Sequence, residues 1–193
     1  MLERVAMFIF SQVANGLEYL HYEALVANRD IKPENIMFTT KEGGTNIYSH
    51  DRAQITDFTT VFKLKAETAD IVKISGKQGS PAYMAPESLN KPEYKPRPLD
   101  VWALGVTIYA FMFGELPFWG ESVEAIEQEI LNKELNLDDK EASDGFKEML
   151  RALLDRNPDT RPTIKEAKER FPWLNRPEFA SEQPPPDDDA EEE

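Results

Sequence analysis

Four side chains early in the chain could do chemistry together. Asp30, Lys32 and Asn35 stand within Asn28-Arg29-Asp30-Ile31-Lys32-Pro33-Glu34-Asn35, and Asp57 follows in Ile55-Thr56-Asp57-Phe58. A carboxylate such as Asp30 can accept the proton of an attacking hydroxyl, and the ammonium of Lys32 can sit against a transferring phosphate. The side-chain oxygens of Asn35 and Asp57 are ligands suited to Mg²⁺, a hard cation that prefers oxygen. The chemistry such a set serves is phosphoryl transfer, which asks little covalent help from a protein but much positioning and charge neutralisation.

Elements with legible patterns must position these residues. From Leu2 to Tyr22, apolar groups at Val5, Phe8, Ile9, Val13, Leu17 and Leu20 recur at three- to four-residue spacing, which predicts an amphipathic helix. Leu25-Val26-Ala27 reads as a short buried strand leading into the Asn28–Asn35 loop, and Ile36-Met37-Phe38 as another. Thr39 to Ala53 holds Gly43-Gly44 and several polar residues, so it reads as an exposed connection. Lys65 to Lys77 is polar and is expected to be mobile. Leu99 to Phe113 is apolar nearly all round, which marks a helix buried in the centre of a domain. Asp100, at its start, is a residue type expected to cap a helix N-terminus. Ser122 to Leu131, Ser143 to Leu154 and Thr163 to Phe171 read as three further helices.

The bulk properties bound what such a chain can be. Its 193 residues are enough for one domain with a real core. Lys and Arg number 22 against 36 Asp and Glu, and the net charge of −14 argues against nucleic acid or an anionic membrane as the main partner. Seven of the acids lie in the last dozen residues, six of them after Pro184-Pro185-Pro186. That stretch cannot bury apolar surface, so residues 175–193 are expected to form a disordered tail. There is no cysteine, hence no disulfide framework and no thiolate metal site. The longest apolar run, Val101 to Phe113, is too short to span a bilayer. Met1-Leu2-Glu3-Arg4 lacks a basic leader before an apolar core. A soluble, intracellular, cytoplasmic protein is the expectation.

The octapeptide at Asn28–Asn35 resembles the catalytic loop of eukaryotic protein kinases, and Asp57-Phe58-Thr59 resembles the metal-binding triplet that follows it. Further motifs stand in the same order. Gly79-Ser80-Pro81-Ala82-Tyr83-Met84-Ala85-Pro86-Glu87 is similar to the end of a Ser/Thr kinase activation segment. Asp100-Val101-Trp102-Ala103-Leu104-Gly105 and Gly114-Glu115-Leu116-Pro117-Phe118 are similar to the family's central helix and its end. The resemblance covers residues 3 to 174. Residues 1–174 are therefore read as a partial kinase domain, a C-terminal lobe of α+β class that is mainly helical, with short strands around the catalytic loop. Within Ser/Thr kinases the chain looks most like calcium/calmodulin-dependent protein kinase kinases and related upstream kinases of the AMP-activated kinase family.

The resemblance implies roles for named residues. Asp30 would be the base, Lys32 would sit on the phosphate, and Asn35 and Asp57 would hold Mg²⁺. Met37, Thr56 and Asp57 would meet ATP. Arg29 would contact a phosphorylated residue of the activation segment; Thr68 and Ser75 are the candidates, and Lys77 falls near the usual phosphosite. Ser80 would bridge Asp30 and Lys32. Glu87 would pair with Arg161 in the interior, and Asp100 would hold the backbone of the catalytic loop. The implied activity is transfer of the ATP γ-phosphate to protein Ser or Thr hydroxyls in an upstream signalling role. Protein substrates are the implied partners, with another kinase or a regulatory subunit as a further candidate. The acid at the chain's end, where calmodulin binding would want a basic amphipathic helix, weighs against calmodulin.

Three departures qualify this. Asn28 stands at the usual His of the loop, and Thr59 at the usual Gly of the triplet. A β-branched residue there restricts a backbone flip that Gly permits. Nothing before Asn28 resembles a Gly-rich phosphate loop, a strand lysine or its glutamate partner, so the N-terminal lobe is expected to be absent from this chain. Alone, the chain is then expected to be inactive. The alternative reading is a non-catalytic kinase-like scaffold or regulatory binding module.

Overall fold

The computed structural model describes residues 2–39 and 52–175. Helix α1 (Leu2–Tyr22) buries the stripe that its spacing dictates, with Val5, Ile9, Val13 and Leu17 all inside the core. The chain then passes through β1 (Val26–Ala27), β2 (Ile36–Thr39), β3 (Arg52–Ile55) and β4 (Phe62–Lys63). These pair as two antiparallel ribbons, β1 with β4 and β2 with β3. In the second ribbon Ile36 faces Ile55, Met37 faces Gln54, Phe38 faces Ala53 and Thr39 faces Arg52.

Two readings of the sequence are corrected here. Thr39 and Ala53 are not ends of an exposed connection: both are strand residues, and Ala53 is buried. Residues 40–51, with Gly43-Gly44, lie outside the described residues, as do residues 176–193, which the sequence reads as tail. The polar Lys65–Lys77 stretch, expected to be mobile, is tied down at several points. Ala66–Thr68 makes a 3-10 turn, Ala69 and Ile74 are buried, and Ile74 exchanges both main-chain hydrogen bonds with Tyr94 at 2.8 and 3.0 Å.

After a short helix α2 (Pro86–Asn90) comes α3 (Arg97–Phe113), the rod on which everything else is mounted. Every residue from Leu99 to Tyr109 is buried, so α3 has no solvent face over most of its length. Gly105 lets α5 (Asp144–Leu153) approach, because a Cβ at that position would come within 3.0 Å of Leu153 and Leu154. Helices α4 (Val123–Asn132), α5 and α6 (Ile164–Arg170) begin where the sequence places caps. Ser122 and Ser143 each accept a main-chain N–H from the first turn, and Thr163 with Glu166 closes a capping box. Each such cap is worth about 1 kcal/mol.

The core falls into two groups. One joins α1, α3, α5 and α6 through residues such as Leu17, Leu104, Ile108, Leu150 and Ile164. The other packs α3 against α4, where Trp102 stacks on Phe118 with ring centres 5.7 Å apart. Among the described residues no helix is long and apolar enough to cross a membrane.

Candidate active site

Asp100 is where the buried rod meets the Asn28–Asn35 loop. The sequence reading of Asp100 as a helix cap is overturned: α3 begins three residues earlier, at Arg97, with Pro98 in its first turn, and Asp100 turns its carboxylate elsewhere. It is fully buried, accepts the main-chain N–H groups of Asn28 at 2.8 Å and Arg29 at 2.6 Å, and lies 2.8 Å from His21 Nε2 at the end of α1. The two backbone bonds hold Arg29 at φ 68°, a left-handed conformation that costs a residue with a Cβ about 1–2 kcal/mol. Charge-assisted hydrogen bonds of this kind are strong enough to offset that cost.

Asn28 is also fully buried and works in two directions. Its Oδ1 accepts the Asp30 N–H at 3.0 Å, and its Nδ2 donates to the Asp57 carbonyl at 3.4 Å. The loop and the later carboxylate are thus joined by an amide that cannot ionise.

Four groups converge on Asp30, which is 9% exposed. Its Oδ1 accepts the Ser80 N–H at 3.1 Å and the Ser80 hydroxyl at 3.0 Å. Its Oδ2 accepts Lys32 Nζ at 2.8 Å and Asn35 Nδ2 at 3.0 Å. Lys32 Nζ donates to Ser80 Oγ as well, at 2.8 Å, so Asp30, Lys32 and Ser80 form a closed ring. Burial by itself raises the Asp30 carboxyl, but the hydrogen bonds from Lys32 and Ser80 outweigh it and hold the group below the usual aspartate value. The ring depends on Gly79, which sits at φ 99°, and a Cβ there would lie 2.4 Å from the Arg29 carbonyl oxygen.

Asp57 is presented differently. It is exposed, sits at φ 58°, and its Oδ1 accepts both the Thr59 hydroxyl at 2.7 Å and the Thr59 N–H at 3.1 Å. Those bonds, the hydroxyl first, hold its carboxyl below the usual value, with a further contribution from the Lys32 charge. Asn35 is fixed from both ends: Nδ2 donates to Asp30, and its carbonyl accepts Thr56 N–H at 2.8 Å and Thr56 Oγ1 at 3.2 Å. Among the described residues the Asn35 Oδ1 accepts no hydrogen bond, which leaves it as a neutral oxygen ligand. Among the described residues no three His, Cys, Asp or Glu side chains converge on a common metal position. One carboxylate and one amide oxygen nonetheless suit Mg²⁺, which keeps several waters and takes its remaining ligands from substrate phosphates. Met37, the residue read as a nucleotide contact, is 56% exposed on β2.

Other residues singled out in the sequence fall outside this cluster. Among the described residues Arg29 hydrogen-bonds neither Thr68 nor Ser75; its Nε donates to the Thr60 carbonyl at 2.6 Å and its guanidinium lies over Phe62. Lys77 pairs with Glu127 at 2.5 Å. Glu87 and Arg161 meet away from solvent in a two-pronged pair, 2.8 and 3.0 Å. Sequence reasoning missed the parts played by His21, Gly79 and Thr60, whose hydroxyl donates to the Asn28 carbonyl at 2.9 Å. Of these only Gly79 carried a signal, as a glycine beside a hydroxyl in a recognisable motif.

Comparison with known proteins accords with this geometry. Residues 1–174 match the family described as protein kinase domain. Calcium-dependent protein kinase 21 of Oryza sativa subsp. japonica is 33% identical over 183 residues, 92% of this chain and 30% of that protein. Calcium-dependent protein kinase SK5 of Glycine max is 36% identical over 187 residues, covering 94% and 34%. Serine/threonine-protein kinase PEPKR2 of Arabidopsis thaliana is 35% identical over 176 residues, covering 89% and 34%. The chain thus spans about a third of the length of these relatives.

Proposed function

The chain belongs to the protein kinase family, and on that premise we propose that it transfers the ATP γ-phosphate to Ser or Thr hydroxyls of proteins. The observation that carries the reading is the convergence of Ser80, Lys32 and Asn35 on both oxygens of Asp30. With its carboxyl held ionised, Asp30 can accept a proton from a substrate hydroxyl that comes to occupy the place of Ser80 Oγ in the ring. Lys32, already bridging Asp30 and Ser80, is the cation that would meet the transferring phosphate. Asn35 and Asp57 would hold Mg²⁺, and the bound ion would supply neutralisation of charge on the phosphates. Met37 and Thr56 would lie against the nucleotide, and Glu87–Arg161 and Asp100 would keep the segments in place.

The finer parts of the proposal rest on sequence motifs. Residues Gly79–Leu89 and Leu99–Tyr109 support an upstream signalling kinase like the calcium/calmodulin-dependent protein kinase kinases. Residues 1–174 would be the catalytic lobe, 175–193 a tail, and the cytoplasm the place of action. Calmodulin is left out of the proposed partners because the sequence after Leu174 is acidic. Arg29, the residue that would contact a phosphorylated Thr68 or Ser75, donates its Nε to the Thr60 carbonyl.

The test is phosphoryl transfer from Mg-ATP to a Ser/Thr peptide pool by an extended protein in which an N-terminal kinase lobe precedes this chain, with the Mg-ATP-induced rise in unfolding temperature measured alongside. Transfer that falls about 10²- to 10⁴-fold in Asp30→Asn is the expected result. Transfer unchanged in both Asp30→Asn and Asp57→Asn would overturn the assignment. An extended wild-type protein with neither transfer nor thermal shift would favour the non-catalytic module instead.

A further inference from the structure

Thr59 offers a side-chain donor where the kinase triplet ordinarily has glycine, and its hydroxyl is spent on Asp57. Asp57 needs such help. Its carboxylate is exposed, so neither packing nor burial selects among its rotamers. Its neighbour Phe58 is 50% exposed, so no buried ring anchors the turn either. Hydrogen bonds do the anchoring. Thr56 ties the upstream side to the Asn35 carbonyl, and Thr60 ties the downstream side to the Asn28 carbonyl while accepting from Arg29. Between those ties both Thr59 donors converge on one oxygen, Asp57 Oδ1. Asp57 Oδ2 accepts no hydrogen bond among the described residues.

We propose that Thr59 is a positioning residue for metal binding: its hydroxyl fixes the Asp57 carboxylate through Oδ1 and so presents Oδ2 to the cation. The inference rests on the reading of Asp57 as a Mg²⁺ ligand and deepens it. β-Branching gives the threonine hydroxyl few rotamers of its own, so the donor is itself preset. A threonine that merely shaped the turn would affect stability and leave metal affinity alone.

The experiment titrates Mn²⁺ into the full chain in the presence of ADP and reads free Mn²⁺ by electron paramagnetic resonance. Wild type, Thr59→Val, Thr59→Ser and Asp57→Asn are compared, with thermal unfolding by circular dichroism as the check on folding. Removing the hydroxyl but keeping the shape in Thr59→Val should weaken Mn²⁺ binding by about three- to tenfold, the range for a charge-assisted bond at an exposed site. Thr59→Ser, which keeps the donor, should restore binding to within about twofold of wild type. Asp57→Asn should abolish it. Thr59→Val binding like wild type while Asp57→Asn loses the metal would overturn the role of Thr59 and leave the metal site standing. Thr59→Ser as weak as Thr59→Val would also overturn it. Binding unchanged in Asp57→Asn, or none in wild type, would overturn the metal reading and this inference with it. If Thr59→Val melts early, Thr59→Ala measured below its transition gives the same comparison.

Discussion

Replacing Glu87 by alanine leaves the Arg161 guanidinium buried without its counter-charge. Both side chains are wholly removed from solvent, and the two contacts, 2.8 and 3.0 Å, form a parallel fork. Arg161 keeps some compensation: Nε donates to the Asp155 carbonyl, one terminal nitrogen donates to the Pro98 carbonyl, and the group stands 5.1 Å over the Trp102 ring. None of these carries a full negative charge. Removing one member of such a pair costs about 3–5 kcal/mol, a large share of the roughly 5–15 kcal/mol that holds a domain folded. With a urea m value of about 2 kcal/mol/M, the unfolding midpoint should fall by about 2 M at unchanged slope. Far-UV circular dichroism against urea reads this directly. The double variant Glu87→Met/Arg161→Met removes both charges and should lie much closer to wild type than Glu87→Ala does. A midpoint shift of Glu87→Ala below about 0.5 M, or a double variant as unstable as the two single changes added, would refute the reasoning.

Four further outcomes follow from the structure. Gly79→Ala places a Cβ against the Arg29 carbonyl at a positive φ and should cost about 2–3 kcal/mol in thermal melts. Gly76→Ala, also at positive φ but with open space around it, should cost about 1 kcal/mol in the same thermal melts. Asp100→Ala strips the acceptor from two main-chain N–H groups at the loop and should destabilise by about 2–5 kcal/mol in urea, with Asp100→Asn falling between it and wild type. Asp30 has a folded pKa below its unfolded one, so its contribution to stability is complete above the ordinary aspartate value of about 3.9 and is lost as pH falls through the lowered folded value. Unfolding free energies measured from about pH 7 to pH 3 should therefore fall less steeply on the acid side in Asp30→Asn than in wild type.

The helices were legible because their signals are local. Val5, Ile9, Val13 and Leu17 repeat at helical spacing, and Ser122, Ser143 and Thr163 are cap residues in front of periodic segments. The strands were harder. Phe62–Lys63 is two residues long and has no period to detect, and Arg52–Ile55 alternates polar and apolar for only four residues after a polar stretch. Asp100 looked like a cap since its distant partners, Asn28 and Arg29, leave no trace in its own neighbourhood. Thr59 was visible as a departure, yet its consequence was read as restriction alone. Only the turn of the backbone at Asp57 shows that the side chain gives a hydrogen bond back.

Glu87 and Arg161 are 74 residues apart in the chain, Asn28 and Asp100 are 72 apart, and Asp30 and Ser80 are 50 apart. On a ribosome adding about 5–20 residues per second, Arg161 follows Glu87 by about 4–15 s. Through that interval Asp30, Lys32, Asn35 and Asp57 have all been made, but the segment carrying Ser80 lacks its interior tie. The nascent chain therefore lacks the buried tie between the segment carrying Ser80 and Glu87 and the rest of the fold until Arg161 has been made, 74 residues after Glu87.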